Sequence, residues 1–278
     1  MIIENIILGI IQGMAEFLPV SSSGHILIYT LLSKVQIENN IRLQVSLHFG
    51  TLLSIIAFFY KDIILFIKGW FQSFRYIKEK KGLRGEHLVG WYIIVATIPA
   101  AIGGILLEPI LEQYFYNYLS VGFMLLIGGF AFLITEKYYQ AHTKKGAVTE
   151  RISVKKALII GLFQVLALVP GVSRSGITII TGLWLKINRS MVAEFSFLIA
   201  IPILLGATSK QMIEIIVENH NIFILLQEYG VGIVTSALVG YAALRFFIPY
   251  IKKNTLNIFG YYRIIIGIVL IALNFVIK

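Results

Sequence analysis

Long apolar blocks separated by short polar segments dominate the chain. Six blocks have about the 20 residues that a helix needs to cross a bilayer. They predict membrane-spanning helices at 43–60, 88–107, 119–136, 191–208, 229–248 and 259–277. Helices at these positions satisfy every backbone hydrogen bond within the hydrocarbon layer. The pattern therefore predicts an all-α polytopic membrane protein.

Two further apolar segments, 1–33 and 155–185, are interrupted. Each has apolar arms around a centre rich in Ser, Gly and Pro, and neither arm is long enough to cross a bilayer alone. Such a segment is typical of a re-entrant helix pair, which enters and leaves the membrane on the same side. Irregular backbone at that depth is tolerated where protein or a water-filled cavity covers it.

The two broken segments are related to each other in sequence. A shift of 152 residues aligns Gly9–Gly24 with Gly161–Gly176, with seven identities in 16 positions and no gap. Each half of the chain then holds one re-entrant pair and three spans. Because three is odd, the second half starts on the opposite side, which predicts an inverted-topology repeat whose two polar tips meet near the midplane.

This pattern gives one membrane domain, 1–278. Its parts are repeat 1 at about 1–136, a cytoplasmic linker at about 137–154 and repeat 2 at about 155–278.

Composition and charge support the membrane class. Hydrophobic residues make up 58% of the chain and charged residues 14%, whereas soluble domains have about 25% charged residues. Cysteine is absent, which excludes disulfides and a thiol nucleophile. The net charge of +10 would indicate nucleic-acid binding in a soluble protein, but here it is typical of basic cytoplasmic loops.

The predicted topology places 19 of the 24 Lys and Arg residues on one side of the membrane. They are Lys61, Lys68, Arg75, Lys78, Lys80, Lys81, Arg84, Lys137, Lys144, Lys145, Arg151, Lys155, Lys156, Lys186, Arg189, Arg245, Lys252, Lys253 and Arg263. The positive-inside rule makes that side cytoplasmic, so both termini are predicted on the non-cytoplasmic side. No nucleic-acid partner is expected.

The first polar tip, 12–25, carries candidate chemistry. Gln12 and Glu16 are four residues apart and share a helix face, and Pro19 is expected to end that helix. A Ser/Gly run and a histidine follow at Ser21, Ser22, Ser23, Gly24 and His25. Hydroxyls and free N–H groups at a helix start are typical of phosphate binding.

The second tip, 170–178, repeats the Ser/Gly helix start and adds Arg174. Its other polar or small residues are Gly171, Ser173, Ser175, Gly176 and Thr178. A guanidinium grips two phosphate oxygens in a fixed fork, so the combined groups favour a phosphate ester or diphosphate as ligand. Close packing of the Ser/Gly clusters and a structural Glu16–Arg174 ion pair are the alternatives. For His48, on the first full span, packing or support is the favoured interpretation, and a place in the lining of the same cavity is the alternative.

At these residues the chain resembles the undecaprenyl-diphosphate phosphatase family of bacteria, the bacitracin-resistance type. Gln12 and Glu16 match its Glu/Gln-x-x-x-Glu motif, and Pro19 to His25 match the following Pro-Val-Ser-Ser-x-Gly-His. Pro170 to Thr178 match Pro-Gly-x-Ser-Arg-Ser-Gly-x-Thr. The two motifs together are highly specific.

The resemblance implies hydrolysis of a C55 polyprenyl diphosphate to the monophosphate and inorganic phosphate, which recycles the lipid carrier of cell-wall synthesis. It implies a multi-pass protein of the bacterial cytoplasmic (inner) membrane with inverted repeats. The polyprenyl diphosphate lipid is the expected partner. A homodimer is one alternative for an oligomeric state that stays open.

The resemblance also assigns residues. Ser22 matches the proposed nucleophile, and Glu16, His25 and Arg174 the other catalytic groups. Substrate binding falls to Gln12, Ser21, Ser23, Gly24, Gly171, Ser173, Ser175, Gly176 and Thr178. A divalent cation, Mg or Ca, is expected at Glu16 and Gln12, although Gln12 replaces the Glu of many members and leaves only one carboxylate in that motif.

These residues predict in-line phosphoryl transfer. Ser22 attacks the terminal phosphorus, His25 is favoured over Glu16 as the base, and Arg174 neutralises the phosphate oxygens. Direct attack by water, with Ser22 only as a ligand of the phosphate, is the alternative route. The alternative function is a secondary transporter or lipid flippase for an anionic lipid, because inverted repeats with broken helices are equally typical of transporters. The cluster of Ser22, His25 and Arg174 favours hydrolysis, since transport needs no nucleophile.

Overall fold

A computed structural model describes residues 2–33, 41–79, 85–115, 117–144, 146–217 and 222–276. Within these ranges the chain forms α-helices α1 Ile2–Phe17, α2 Ser22–Ser33, α3 Ile41–Phe58, α4 Tyr60–Lys78, α5 Glu86–Phe115, α6 Tyr118–Thr143, α7 Val154–Gln164, α8 Arg174–Trp184, α9 Arg189–Val217, α10 Ile222–Lys253 and α11 Asn257–Val276. A 3-10 turn, Val165–Leu168, follows α7. The described residues contain no strand, only an isolated bridge between Thr149 and Ile187. The predicted all-α class is confirmed.

Five helices, α5, α6, α9, α10 and α11, are long and apolar enough to cross a membrane. Helices α3 and α4 reach that standard only as a pair, and they are bent by 78° where they meet at Phe59. The described residues therefore contain five or six candidate spans, where the sequence predicts six. The predicted span at 43–60 corresponds to α3, which ends at Phe58 just before the bend.

Three connections predicted as loops are partly helical. The basic segment after the first predicted span forms α4, and its residues Lys80, Lys81 and Arg84 lie outside the described part of the chain. Helix α5 continues to Phe115 and α6 to Thr143, well past the predicted ends at 107 and 136. Polar residues continue these helices beyond the apolar block, because helix propensity does not require a hydrophobic side chain.

Both segments predicted to be broken are confirmed as helix–break–helix units. Helix α1 ends at Phe17, just before Pro19, which has no N–H to donate to a continuing helix. Helix α2 then starts at Ser22. In the second segment, α7 passes into the 3-10 turn and α8 starts at Arg174.

The helices pack in pairs that surround the two broken units. Helix α6 packs on α11, α1 on α10, α3 on both α10 and α9, and α5 on α7. Glycines allow the closest approaches: a methyl group on Gly129 of α6 would lie 2.8 Å from the Gly260 carbonyl oxygen of α11. Small residues at helix contacts are typical of membrane proteins, where dispersion rather than water exclusion holds helices together.

A buried ion pair ties three helix ends together. Arg189 donates from Nη1 and Nη2 to the two Glu136 carboxylate oxygens, both at 2.5 Å. The Leu256 N–H, just before α11, donates to the same carboxylate at 2.9 Å. Glu136 has a relative exposure of 1%, so the pair lies largely away from solvent. The sequence predicts Arg189 as a loop cation, but the structure gives it a buried partner.

Replacing Glu136 by alanine is expected to destabilise the fold by about 3–5 kcal/mol, because it leaves the Arg189 charge without its partner. Thermal unfolding in detergent, followed by circular dichroism, measures the loss. The matched control is Glu79→Ala, which breaks an ion pair with Arg75 of α4. That pair is exposed: the relative exposure of the side chain is 33% for Glu79 and 79% for Arg75. That variant is expected to change stability by less than about 1 kcal/mol. Equal losses in the two variants would contradict this role for Glu136.

Candidate active site

The two broken segments meet and form a single site. Arg174 at the start of α8 donates from Nη2 to Glu16 Oε1 on α1 at 2.8 Å. The Gly171 N–H donates to the Ser23 hydroxyl at 3.1 Å. Both contacts join residues about 150 positions apart in sequence, so the polar tips predicted to meet do meet.

The Glu16 carboxylate is the centre of the site. Besides Arg174, it accepts hydrogen bonds at Oε2 from Gln12 Nε2 at 3.1 Å and from the Ser22 hydroxyl at 3.4 Å. The next residue, Phe17, is fully buried and packs edge-on against Phe197, with ring centroids 5.6 Å apart. This packing fixes the last turn of α1 and, with it, the carboxylate.

Arg174 is held from two sides. Its Nη1 donates to the Ser196 carbonyl of α9 at 2.9 Å, while Nη2 holds Glu16. Its side chain is 14% exposed. A guanidinium has five N–H donors, so three remain for a ligand.

The same backbone turn precedes both helices that start at the tips. Ser21 has φ of 78° and Ser173 has φ of 72°. The Ser21 hydroxyl accepts from the Gly24 N–H at 3.4 Å, and the Ser173 hydroxyl accepts from the Gly176 N–H at 3.2 Å. Each serine therefore caps the helix that it precedes. Each cap therefore uses one of the helix-start N–H groups that the sequence assigns to phosphate, that of Gly24 or of Gly176.

A cavity of about 260 Å³ opens between the tips. Its polar lining residues are Glu16, Ser21, Ser22, Ser23, His48, Gln164, Ser173 and Arg174. Its apolar lining residues are Ala15, Ala100, Ala167, Leu168, Ile203, Leu204 and Ala207. Six of the predicted site residues thus line one cavity whose lining combines polar and apolar side chains. This combination suits a phosphate group attached to a hydrocarbon.

Other predicted site residues lie behind the wall and support it. Gln12 is fully buried and holds Glu16. Thr178 is fully buried and its hydroxyl shares a hydrogen bond of 2.6 Å with the Ser196 hydroxyl. Ser175 shares one of 3.3 Å with Ser173. The glycines Gly24, Gly171 and Gly176 contribute backbone only.

His25 does not face Ser22 in this structure. Its Nδ1 is 2.7 Å from the Ser21 carbonyl and its Nε2 is 2.7 Å from the Tyr262 hydroxyl. Because a carbonyl only accepts, Nδ1 carries the proton and Nε2 accepts from Tyr262. The two rings also stack, with an interplanar angle of 4°. Both ring nitrogens of the favoured base are therefore already in use.

Three further residues belong to the site. His48 lines the cavity, which was the less favoured of its two interpretations from sequence, and its Nδ1 lies 2.8 Å from the Gln44 carbonyl oxygen. Gln164 also lines the cavity, and its alignment with Gln12 in the repeat was the signal for it. Ser196 anchors Arg174 through a backbone carbonyl, which no local sequence pattern reveals.

The side chains at Glu16 and Gln12 do not fit a resident divalent cation. Gln12 presents its NH₂ group, not its oxygen, to the carboxylate, and Gln12 Oε1 is buried without a partner. The described residues contain no group of three or more His, Cys, Asp or Glu side chains that would hold a metal. The predicted Mg or Ca ion stays a prediction, and no step below depends on it.

A second cavity, of about 720 Å³, lies away from the tips between α4, α5 and the start of α9. Its walls are mainly apolar, as at Phe66, Tyr92 and Leu198, with Glu150, Arg151 and Glu194 among the lining residues. None of the predicted catalytic residues lines it, so the smaller cavity is the candidate active site.

Comparison with known proteins agrees with the motifs. The family model described as bacitracin resistance protein BacA matches residues 5–269. The undecaprenyl-diphosphatase of Methanosphaera stadtmanae is 40% identical over 99% of both chains. That of Caldicellulosiruptor bescii is 38% identical over 97% of this chain and 96% of its own, and undecaprenyl-diphosphatase 1 of Clostridioides difficile is 37% identical over 99% and 96%. The chain belongs to the BacA bacitracin resistance family.

Proposed function

We propose that this protein hydrolyses undecaprenyl diphosphate to undecaprenyl phosphate and inorganic phosphate. The observation that carries the proposal is the Ser22 hydroxyl, which lies on the wall of the cavity and donates to a carboxylate paired with Arg174. A hydroxyl, a proton acceptor and a phosphate-binding guanidinium are the groups that phosphoryl transfer to serine requires. The relatives named above as undecaprenyl-diphosphatases support the same activity.

In the first step the Ser22 oxygen attacks the terminal phosphorus of the diphosphate. The bond from that phosphorus to the bridging oxygen breaks, and undecaprenyl phosphate leaves with the bridging oxygen. The Ser22 proton passes to Glu16, which already accepts its hydrogen bond. The free N–H groups of Arg174 stabilise the charge on the phosphoryl oxygens in the transition state.

In the second step a water molecule attacks the phosphorus of phosphoserine 22. The bond between the Ser22 oxygen and phosphorus breaks, the serine regains a proton from Glu16, and inorganic phosphate leaves with both protons of the water as dihydrogen phosphate. Arg174 stays in the same place for both steps because the Ser196 carbonyl holds Nη1. The proposed mechanism therefore keeps the predicted steps but takes Glu16 as the base in place of His25. The hydrogen bond from Ser22 to Glu16 supports this choice, as do the contacts of both His25 ring nitrogens with the Ser21 carbonyl and the Tyr262 hydroxyl.

The choice of base is tested at His25. His25→Asn, which can still donate to the Ser21 carbonyl, is expected to keep kcat within about tenfold of the unmodified protein, and His25→Ala to lose more. A general base contributes about 10²- to 10⁴-fold, and asparagine cannot replace it. Phosphate release in detergent measures both variants. If kcat instead fell by about 10²- to 10⁴-fold in both variants, His25 would be the general base and not Glu16.

The activity itself is tested with purified protein in detergent and undecaprenyl diphosphate as substrate. We expect inorganic phosphate and undecaprenyl phosphate in equal amounts. If no phosphate were released and the protein instead catalysed counterflow of an anionic lipid in liposomes, the transporter alternative would be supported. None of the relatives named above is named as a transporter.

We further propose that the halves form an inverted-topology repeat. Two matching details support this relation: the positive φ of Ser21 and Ser173, and the buried, unpartnered Oε1 atoms of Gln12 and Gln164. The packing also corresponds, since α1 lies on α10 of the second half and α7 lies on α5 of the first.

Membership of the family supports a place in the cytoplasmic (inner) membrane, and the distribution of Lys and Arg supports both termini on the non-cytoplasmic side. The substrate's tail would lie in the bilayer beside the cavity. Membrane-impermeant labelling of a single cysteine added at either terminus tests the orientation, because the chain has no cysteine of its own.

A further inference from the structure

Arg263 on α11 contacts the backbone of both tips. Its Nη1 donates to the Pro19 carbonyl at 3.3 Å, and its Nη2 lies 2.9 Å from the Gly171 carbonyl and 3.1 Å from that of Val172. Nη2 also lies 3.3 Å from the Met124 carbonyl of α6. The side chain is fully buried. The sequence counts Arg263 among the cations of the cytoplasmic side; the structure shows that it is not an exposed loop cation but is buried against the two tips.

Arg263 also differs from the two largely buried arginines described above. Arg174 and Arg189 each have a carboxylate partner, whereas the partners of Arg263 among the described residues are carbonyl oxygens and the face of Phe132, 5.9 Å away. A buried cation without a carboxylate is costly in a membrane protein. Burial of this kind marks a functional role more often than a structural one.

The positions of the carbonyls indicate what that role is. Pro19 stands two residues before the Ser21 turn, and Gly171 and Val172 directly precede the Ser173 turn. One planar guanidinium therefore holds the backbone ahead of the nucleophile, Ser22, and ahead of the phosphate-binding Arg174. A lysine ammonium is a point charge and cannot span these separate acceptors.

We propose that Arg263 is a positioning residue that sets the spacing between the two tips, and so places Ser22 against a phosphate held by Arg174. This inference rests on the proposed phosphatase function. Arg263 does not line the cavity and acts through the backbone of the tips. Misplacing reacting groups by about 1 Å costs about 10²-fold in rate, so small shifts of the tips have large effects.

Gly128 of α6 offers an independent way to move the guanidinium. A methyl group on Gly128 would meet Nη2 of Arg263 and lie 2.7 Å from its Cζ. Gly128→Ala therefore displaces Arg263 and keeps its charge. Gly206→Ala is the matched control, because a methyl group there on α9 has no atom within 4 Å.

The experiment compares Arg263→Lys, Gly128→Ala and Gly206→Ala in detergent with undecaprenyl diphosphate. We expect kcat to fall by about ten- to hundredfold in the first two variants, with KM within about threefold, and no change in the control. The double variant Arg263→Lys/Gly128→Ala is expected to lose much less than the product of the two single losses, because both act on the same contacts. Thermal unfolding gives the folded fraction, to which each kcat is normalised.

Two outcomes would overturn the proposal. One is a kcat of Arg263→Lys within about threefold of the unmodified protein, since charge alone would then suffice. The other is a normal kcat per folded molecule in both single variants, which would make the role purely structural. Phosphate release by the unmodified protein is measured first, so failure of the proposed function is seen separately from failure of this inference.

Discussion

Replacing Arg174 by lysine is expected to lower kcat for phosphate release by about 10²- to 10³-fold, the usual cost of removing a preorganised group that stabilises transition-state charge. The guanidinium holds the Ser196 carbonyl with Nη1 and Glu16 with Nη2 while it lines the cavity. One ammonium group cannot hold both anchors and still present a fork to phosphate. Because lysine keeps the positive charge, a loss of activity would be due to the missing planar, forked guanidinium and not to a change in charge.

The measurement is steady-state phosphate release in detergent at saturating undecaprenyl diphosphate. Arg75→Lys is the matched control, because Arg75 is exposed on α4 and pairs only with its neighbour Glu79 among the contacts described here. We expect the control to keep full activity. Rates for Arg174→Lys within about tenfold of the unmodified protein would remove Arg174 from the role of phosphate clamp.

Ser22→Ala is expected to abolish the phosphoenzyme and to lower kcat by about 10³-fold or more, as removal of a covalent nucleophile does. The Ser22 hydroxyl is half-buried, lines the cavity and has the Glu16 carboxylate as its proton acceptor. Substrate labelled at the terminal phosphate and quenched in acid should leave label on the unmodified protein and none on the variant. Ser33→Ala, at the far end of α2, is the control and is expected to behave as the unmodified protein.

Two results would count against a covalent route. Full turnover by Ser22→Ala would exclude Ser22 as the nucleophile. A large loss without any trapped label in the unmodified protein would favour direct attack by water, with Ser22 as a ligand of the phosphate. In that case Glu16 would accept a proton from the attacking water instead of from Ser22. Arg174 would still hold the Glu16 carboxylate in place.

Much of the fold could be predicted because apolar length and helix-breaking residues are local signals. The broken segments at 1–33 and 155–185 follow from their Pro, Gly and Ser content, and both are helix pairs in the structure. Helix α4 was not predicted, because its lysines and arginines were interpreted only as the charges of a cytoplasmic loop. Lys61, Lys68 and Arg75 are spaced by seven residues, which places them on one helix face.

The candidate site could be predicted in part. Glu16, Ser22 and Arg174 carry motifs, and the repeat indicated that their segments would meet. The partner of His25 could not be predicted, because Tyr262 is 237 residues away. The burial of Arg263 could have been predicted, because it lies inside the predicted span 259–277. A charged side chain inside a span is expected to have a polar partner within the protein. Its partners are backbone carbonyls, which have no sequence signature.

Ser21 and Ser173 adopt a backbone conformation that glycine would adopt without steric cost. Such a conformation costs a residue with a side chain roughly 1–3 kcal/mol, and it persists only where the surroundings enforce it. Here the capped N–H groups of Gly24 and Gly176 and the carbonyl contacts of Arg263 enforce it. Local opening of either turn would release this energy. The strain therefore lowers the free-energy cost of moving the backbone that holds the reacting groups, relative to an unstrained turn with the same contacts.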